Sequence, residues 1–228
     1  VNNDTGIPYG SKYKEIFSKN YNQKHIEVGI KSLSSRFEGN DDLGWFKSFG
    51  THPYDKLDNR LEFKFNGILF LHDFYDGPHY YGGTLFLNFF EWTTYTLDFI
   101  KKNKLNIAIK THPFQSKRSG EVCEFLKMKY DSLTWIENVS NRTIFKNKIE
   151  FGITQHGTVI SELAYHKIKP IYCGDHPIDH FKIGFKSNSI IEYEENIINH
   201  NKLKFDKNLY SEIGKYYFMH HIHDKTDY

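Results

Sequence analysis

Two cysteines, Cys123 and Cys173, are all that the 228 residues contain. That is too few for a disulfide framework or a cysteine-built zinc site, and it fits a reducing compartment, so a cytoplasmic address is expected. An excess of one charge is also missing. The 30 Lys and Arg residues stand against 28 Asp and Glu, which leaves no overall field to recruit nucleic acid or an anionic membrane. Nucleic acid is therefore not an expected partner, and any anion site has to be local. No stretch approaches the roughly 18 uninterrupted apolar residues of a membrane-spanning helix, and no basic-then-apolar leader opens the chain. The first residue is Val1, as expected of a fragment or a processed chain. The phosphate-loop pattern G-x-x-x-x-G-K-[ST] and the dinucleotide pattern G-x-G-x-x-G are both absent, which argues against two large nucleotide-binding classes. There is no internal repeat and no low-complexity tract.

What is present is enough apolar and aromatic material, 39% and 17% of residues, to fill a sizeable core. Residues 1–66 are polar, broken by glycines, and read as one helix from about Lys12 to Leu33 followed by a linker. From Gly67 short apolar runs alternate with stretches of helical spacing, the pattern of βαβ units and a parallel sheet. The spacing predicts strands at Ile68 to His72, Asn106 to Lys110, Leu133 to Ile136, Phe151 to Gln155 and Pro170 to Cys173. Helices are predicted over Leu85 to Asn103, Gly120 to Tyr130, Thr158 to His166 and Lys207 to His220. The expected class is α/β, a Rossmann-like parallel sheet flanked by helices over residues 67–228. The aromatic stripe Phe86, Phe89, Phe90, Trp92, Tyr95 and Phe99 reads as core packing in preference to a stacking platform.

In an open parallel sheet, ligands bind beyond the carboxyl ends of the strands. Four of the five predicted strand ends carry histidine: His72, His112, His156 and His176. In "FGITQHGTVISELAYHKIKPIYCG", Gly157 permits a close turn and Thr158 can open a helix whose first amides attract an anion. Ser161 and Glu162 follow on its first turn, where Glu162 can hold ribose hydroxyls or simply complement the helix dipole. In "IAIKTHPFQSKRSGE", Pro113 stiffens the strand end at His112, which reads either as a phosphate ligand or as a loop histidine before a turn. The same Thr-His-Pro at Thr51 to Pro53 lacks a preceding strand and reads as a turn. Asp73, in "HDFYDGPH", reads as a general base or a turn cap. His72, Asp73, Asp76 and His79 have no specific metal spacing, no metal is expected, and "HHIH" at His220 to His223 reads as a frayed helix end.

The segments "ILFLHDFYDGPHYYGG", "KTHPF" and "TQHGTVISELAYHKIKPIYCGD" together resemble the bacterial capsule polysaccharide biosynthesis proteins, the Kdo-transferase-like surface-carbohydrate glycosyltransferases of GT-B fold. The resemblance runs from about Gly67 to Asp175 and covers what would be the C-terminal, donor-binding half. It implies a nucleotide-sugar donor, CMP- or UDP-linked, and a glycan or glycolipid acceptor, with no other cofactor. It implies donor contacts from His112, Pro113, Gly157, Thr158, Ser161 and Glu162; the strand-end reading adds His72, Gln155 and His156 to the expected donor contacts, and Asp73 and His112 are the catalytic candidates. Peripheral association with the inner membrane or a polysaccharide assembly complex goes with the resemblance. A sugar-nucleotide epimerase, a CDP-glycerol-type glycerophosphotransferase and a non-catalytic module of the same fold remain as alternatives.

Overall fold

The computed structural model describes residues 9–38, 64–113, 115–137, 139–147 and 149–223; the second Thr-His-Pro, at His52, lies outside them. Six strands form the sheet: β1 (Gly67–Phe70), β2 (Ile107–Lys110), β3 (Thr134–Ile136), β4 (Phe151–Ile153), β5 (Lys169–Tyr172) and β6 (Phe185–Lys186). Their order is β3-β2-β1-β4-β5-β6, and every neighbouring pair is parallel. This is the α/β class with a parallel sheet flanked by helices that the alternation of apolar runs and helical spacing implied.

Every residue of β1, β2 and β4 is buried, as expected where helices cover both faces of a parallel sheet. Successive side chains leave on opposite faces. Ile68, Phe70 and Ala108 join one core with Leu33, Ile144, Leu163, Ile213 and Tyr216. Leu69, Leu71, Ile107, Ile109 and Ile153 join the other with Trp92, Leu97, Leu126, Tyr193 and Ile197. The first core is therefore roofed by α1 (Tyr9–Asn20), α2 (Gln23–Phe37), α5 (Asn141–Phe145), α6 (Val159–Tyr165) and α8 (Leu209–Tyr217). The second lies under α3 (Phe89–Lys102), α4 (Lys117–Lys129) and α7 (Ile190–Ile198).

The helices differ from expectation where local signals are short. The single helix expected over Lys12 to Leu33 is two, α1 and α2, because Asn22 takes an extended conformation and its side chain accepts from the Lys24 amide at 3.0 Å, capping α2. The strand β6 and the helices α5 and α7 were not expected; β6 has two residues and α5 five, too few to show a period. His220 to His223 is not frayed. A π-helical turn, Phe218–Ile222, prolongs α8, His220 Nδ1 lies 3.2 Å from the Tyr13 hydroxyl and His223 Nδ1 lies 2.6 Å from that of Tyr21.

Helices α1 and α2 share the first core through Tyr13, Phe17, Ile26, Leu33 and Phe37. The crossing of α2 over α8 is set by two glycines. A Cβ on Gly29 would stand on the Gly214 carbonyl, and one on Gly214 would come within 2.6 Å of the Ile26 carbonyl, so only bare backbone fits at this approach.

Candidate functional site

A cavity of about 920 Å3 opens beyond the carboxyl ends of β1, β2 and β4. From β1 the chain proceeds to β2 on one side, while β4 lies on the other; this reversal of strand order opens a crevice at the sheet edge. His72, Asp73, His112, Pro113, His156, Gly157, Thr158 and Glu162 all line the cavity. Gln155 and Ser161 do not. The Gln155 side chain, fully buried, donates from Nε2 to Thr84 Oγ1 at 2.6 Å, and the Ser161 hydroxyl donates to the Thr158 carbonyl at 2.8 Å.

The wall nearest α3 is built from histidines. Thr154 Oγ1 donates to the His156 carbonyl at 2.8 Å and lies 3.0 Å from His72 Nε2. Because that hydroxyl proton is already used, the bond runs from His72 Nε2–H to the Thr154 oxygen, which fixes the His72 tautomer. The His72 ring stacks on Phe89 with centroids 4.2 Å apart, and the His156 ring stands 5.0 Å from His72. Burial pushes both imidazoles down, His72 well below the usual histidine range and His156 to about 4, where the Pro78 carbonyl resists the shift and His79 adds to it. Both are neutral near pH 7. His176, the fourth strand-end histidine, does not line the cavity; it packs beside Tyr81 and His220.

Two carboxylates follow β1, and they are employed differently. Asp73 Oδ2 accepts from the Ser116 amide at 2.6 Å, and Oδ1 accepts from the Tyr75 amide at 2.9 Å and the Ser116 hydroxyl at 3.2 Å. Burial works to raise its pKa, but these three donors outweigh it and hold the carboxyl below its usual range. Asp73 thus staples the loop after β1 to the start of α4, which makes it a weak base. Asp76 also lines the cavity, and no donor reaches its carboxylate among the described residues. Burial first and the Asp73 charge second raise its pKa, against the influence of His112.

At β4 the chain turns through Gly157, whose φ of +114° suits glycine. Thr158 stands at the start of α6 in helical conformation and makes no side-chain cap. Its hydroxyl is thereby left for the cavity that it lines.

The opposite side holds the charges, most of which local sequence signals did not mark. Arg36, delivered by α2, reaches Glu162 with Nη2 to Oε1 at 3.3 Å, and Asn141 at the start of α5 donates to Oε2 at 3.3 Å. Arg36 is 3% exposed, Glu162 4% and Lys110 7%. Lys110 ends β2 on the same face as Ala108, toward α6. Burial pushes its amine down to about 8, with Glu162 opposing the shift. His166, behind Glu162, is likewise lowered by burial against the Glu162 charge. A lysine closing a fully buried strand was visible in "IAIK". Arg36 gave no local sign, because its place depends on how α2 docks.

Among the described residues no group of three or more His, Cys, Asp or Glu stands where it could hold a metal ion, and no helix is long and apolar enough to cross a membrane. No family model and no curated protein matches the chain. Among solved structures it is similar to the UDP-GlcNAc 2-epimerase of Methanocaldococcus jannaschii, crystallised with UDP-GlcNAc and UDP, at 16% identity and a TM-score of 0.47. The match covers 82% of this chain and 51% of that one, so the chain spans about half the length of this structure.

Proposed function

We propose that this chain is the donor-binding half of a glycosyltransferase of bacterial surface polysaccharide biosynthesis, and that its cavity takes a CMP- or UDP-linked sugar. One observation supports the reading: motifs far apart in the chain, "HDFYD" after β1, "KTHP" after β2 and "HGT" after β4, converge on a single cavity at the reversal of strand order. A nucleotide's base and sugar need concave, largely apolar walls, and its phosphates need a few placed donors. Phe70, Leu71 and Val159 contribute the first; His112, the Thr158 hydroxyl and the turn at Gly157 contribute the second.

Asp76 is the carboxylate we assign as general base in place of Asp73, since it faces the cavity without a pinning donor and has a raised pKa, as such a role requires. Glu162, whose oxygens are both engaged, belongs to the charged side of the cavity in preference to the ribose. The acceptor, a glycan or glycolipid, would come from a partner domain or a membrane-associated assembly.

The test is titration calorimetry with CMP, UDP and GDP, then product analysis with the sugar nucleotides of whichever base binds. Binding of one nucleotide and transfer of its sugar to an acceptor supports the reading. Binding without transfer, together with appearance of an epimer or of a product from CDP-glycerol, reassigns the chemistry. Absence of binding by any of the three removes the donor site.

A further inference from the structure

Among the described residues, the charged side of the cavity carries more cations than carboxylates. Arg36 and Lys110 contribute two cations and Glu162 one carboxylate, all more than nine-tenths buried. Arg36 has its ion pair. Lys110 does not: among the described residues no acceptor bonds its ammonium, and the Glu162 charge is what acts on it. A buried charge without a hydrogen-bonded partner is costly, and an apolar side chain of similar length would serve the fold better. Asn141 and Arg36 already draw on both oxygens of Glu162, which limits what that carboxylate can offer to a second cation.

We propose that Lys110 and Arg36 form an oxyanion subsite on the cavity floor, with Glu162 as the resident counter-ion against which a ligand's phosphate or carboxylate competes. Lys110 supplies the principal contact, since it lines the cavity and no acceptor among the described residues bonds its ammonium, and Arg36 supplies the second charge. The subsite lies toward α6 and α2, away from His72 and His156 beside α3. It does not require the ligand to be a nucleotide. For the donor proposed above, its occupant is a phosphoryl group or the carboxylate of an acidic sugar.

The competition gives the subsite a signature of opposite signs. Affinities for phosphate, pyrophosphate and glucuronate are measured by calorimetry on the whole chain at pH 7, in low salt. Lys110→Met is expected to weaken the tightest of the three at least tenfold, and Lys110→Arg to restore most of the loss. Glu162→Gln is expected to strengthen it severalfold, because the carboxylate that competes for Lys110 and Arg36 is neutralised. A purely structural Lys110 would leave all affinities unmoved, and a Glu162 that contacts ligand directly would make Glu162→Gln weaken binding; either result overturns the assignment, as does a wild-type chain that binds none of the three. Should Lys110→Met fail to fold, the Lys110 Cε resonance of the wild-type chain, assigned from Lys110→Arg, reports directly: a shift on adding pyrophosphate supports the subsite and no shift removes it. Pyrophosphate against glucuronate separates a phosphoryl from a carboxylate occupant. These probes carry no base or ribose, so failure here with UDP or CMP still bound is distinct from failure of the donor reading.

Discussion

Around one cavity, His72 and His156 beside α3 and the Arg36, Lys110 and Glu162 group beside α6 face the same loss of water and meet it in opposite ways. The imidazoles have proton affinities near neutrality, so burial removes their charge at modest cost. Arg36 cannot shed its proton, and Glu162 answers it with an ion pair. Lys110 lies between these cases: burial brings its amine down to about 8, so that it remains mostly a cation at pH 7 but a less firmly held one than an exposed lysine. A neutral wall suits a base or sugar ring, and a charged floor suits an anion. The polarity of the cavity is thus written in how each group tolerates desolvation.

The contrast is broken most severely at the ion pair. Arg36→Met leaves the Glu162 carboxylate buried without its cation and should cost about 3–5 kcal/mol in urea unfolding, whereas Arg36→Met combined with Glu162→Gln should recover much of that loss. A double-mutant cycle showing simple additivity would mean that the pair is not coupled.

Lys110 comes next. Its folded pKa of about 8 lies below the unfolded value near 10.5, so between these values the unfolded chain binds more protons and stability rises with pH. The gain should be on the order of 3 kcal/mol across that window. Lys110→Met should flatten the rise and be more stable than wild type at pH 7 while losing anion binding, a combination that a core-packing residue would not give.

The histidine wall sharpens the comparison from the acid side. His156 falls to about 4 in the folded chain from an ordinary 6.5, so the unfolded state takes up more protons as pH drops through 6.5. Stability should fall by about 2 kcal/mol by pH 5 from this group alone, and His156→Phe should remove that part of the slope. Thr154→Val is the mildest change: it deprives the His72 Nε2–H of its acceptor and should cost about 1 kcal/mol by thermal unfolding.

The sheet was largely legible because its strands carry their own evidence. "GILF" and "IAIK" are apolar runs bounded by turn residues, and the structure places β1 and β2 within a residue or two of expectation. The strand order was not legible, since no local pattern tells β4 to lie beside β1. The same division runs through the site. His112, His156 and Thr158 were marked because they follow strands, and the fold brings those strand ends to the cavity. Of the two readings of Asp73, base or turn cap, the local one is seen in its bond from the Tyr75 amide, while its partner Ser116 lies 43 residues away and gave no sign; Arg36 was missed because it meets Glu162 across 126 residues. Contacts of that range depend on packing, which sequence periodicity does not encode.

The glycine crossing of α2 over α8 sets the leverage on this chemistry. Arg36 lies seven residues beyond Gly29 on α2, roughly 10 Å along the axis at 1.5 Å per residue. A side chain at Gly29 or Gly214 would wedge the helices apart, and a tilt of about 10° over that arm displaces the far end by roughly 2 Å. Such a swing is more than half the 3.3 Å separation of Arg36 from Glu162. Two residues without side chains, neither of them lining the cavity, therefore act as the fulcrum that sets where the charged group on its floor stands.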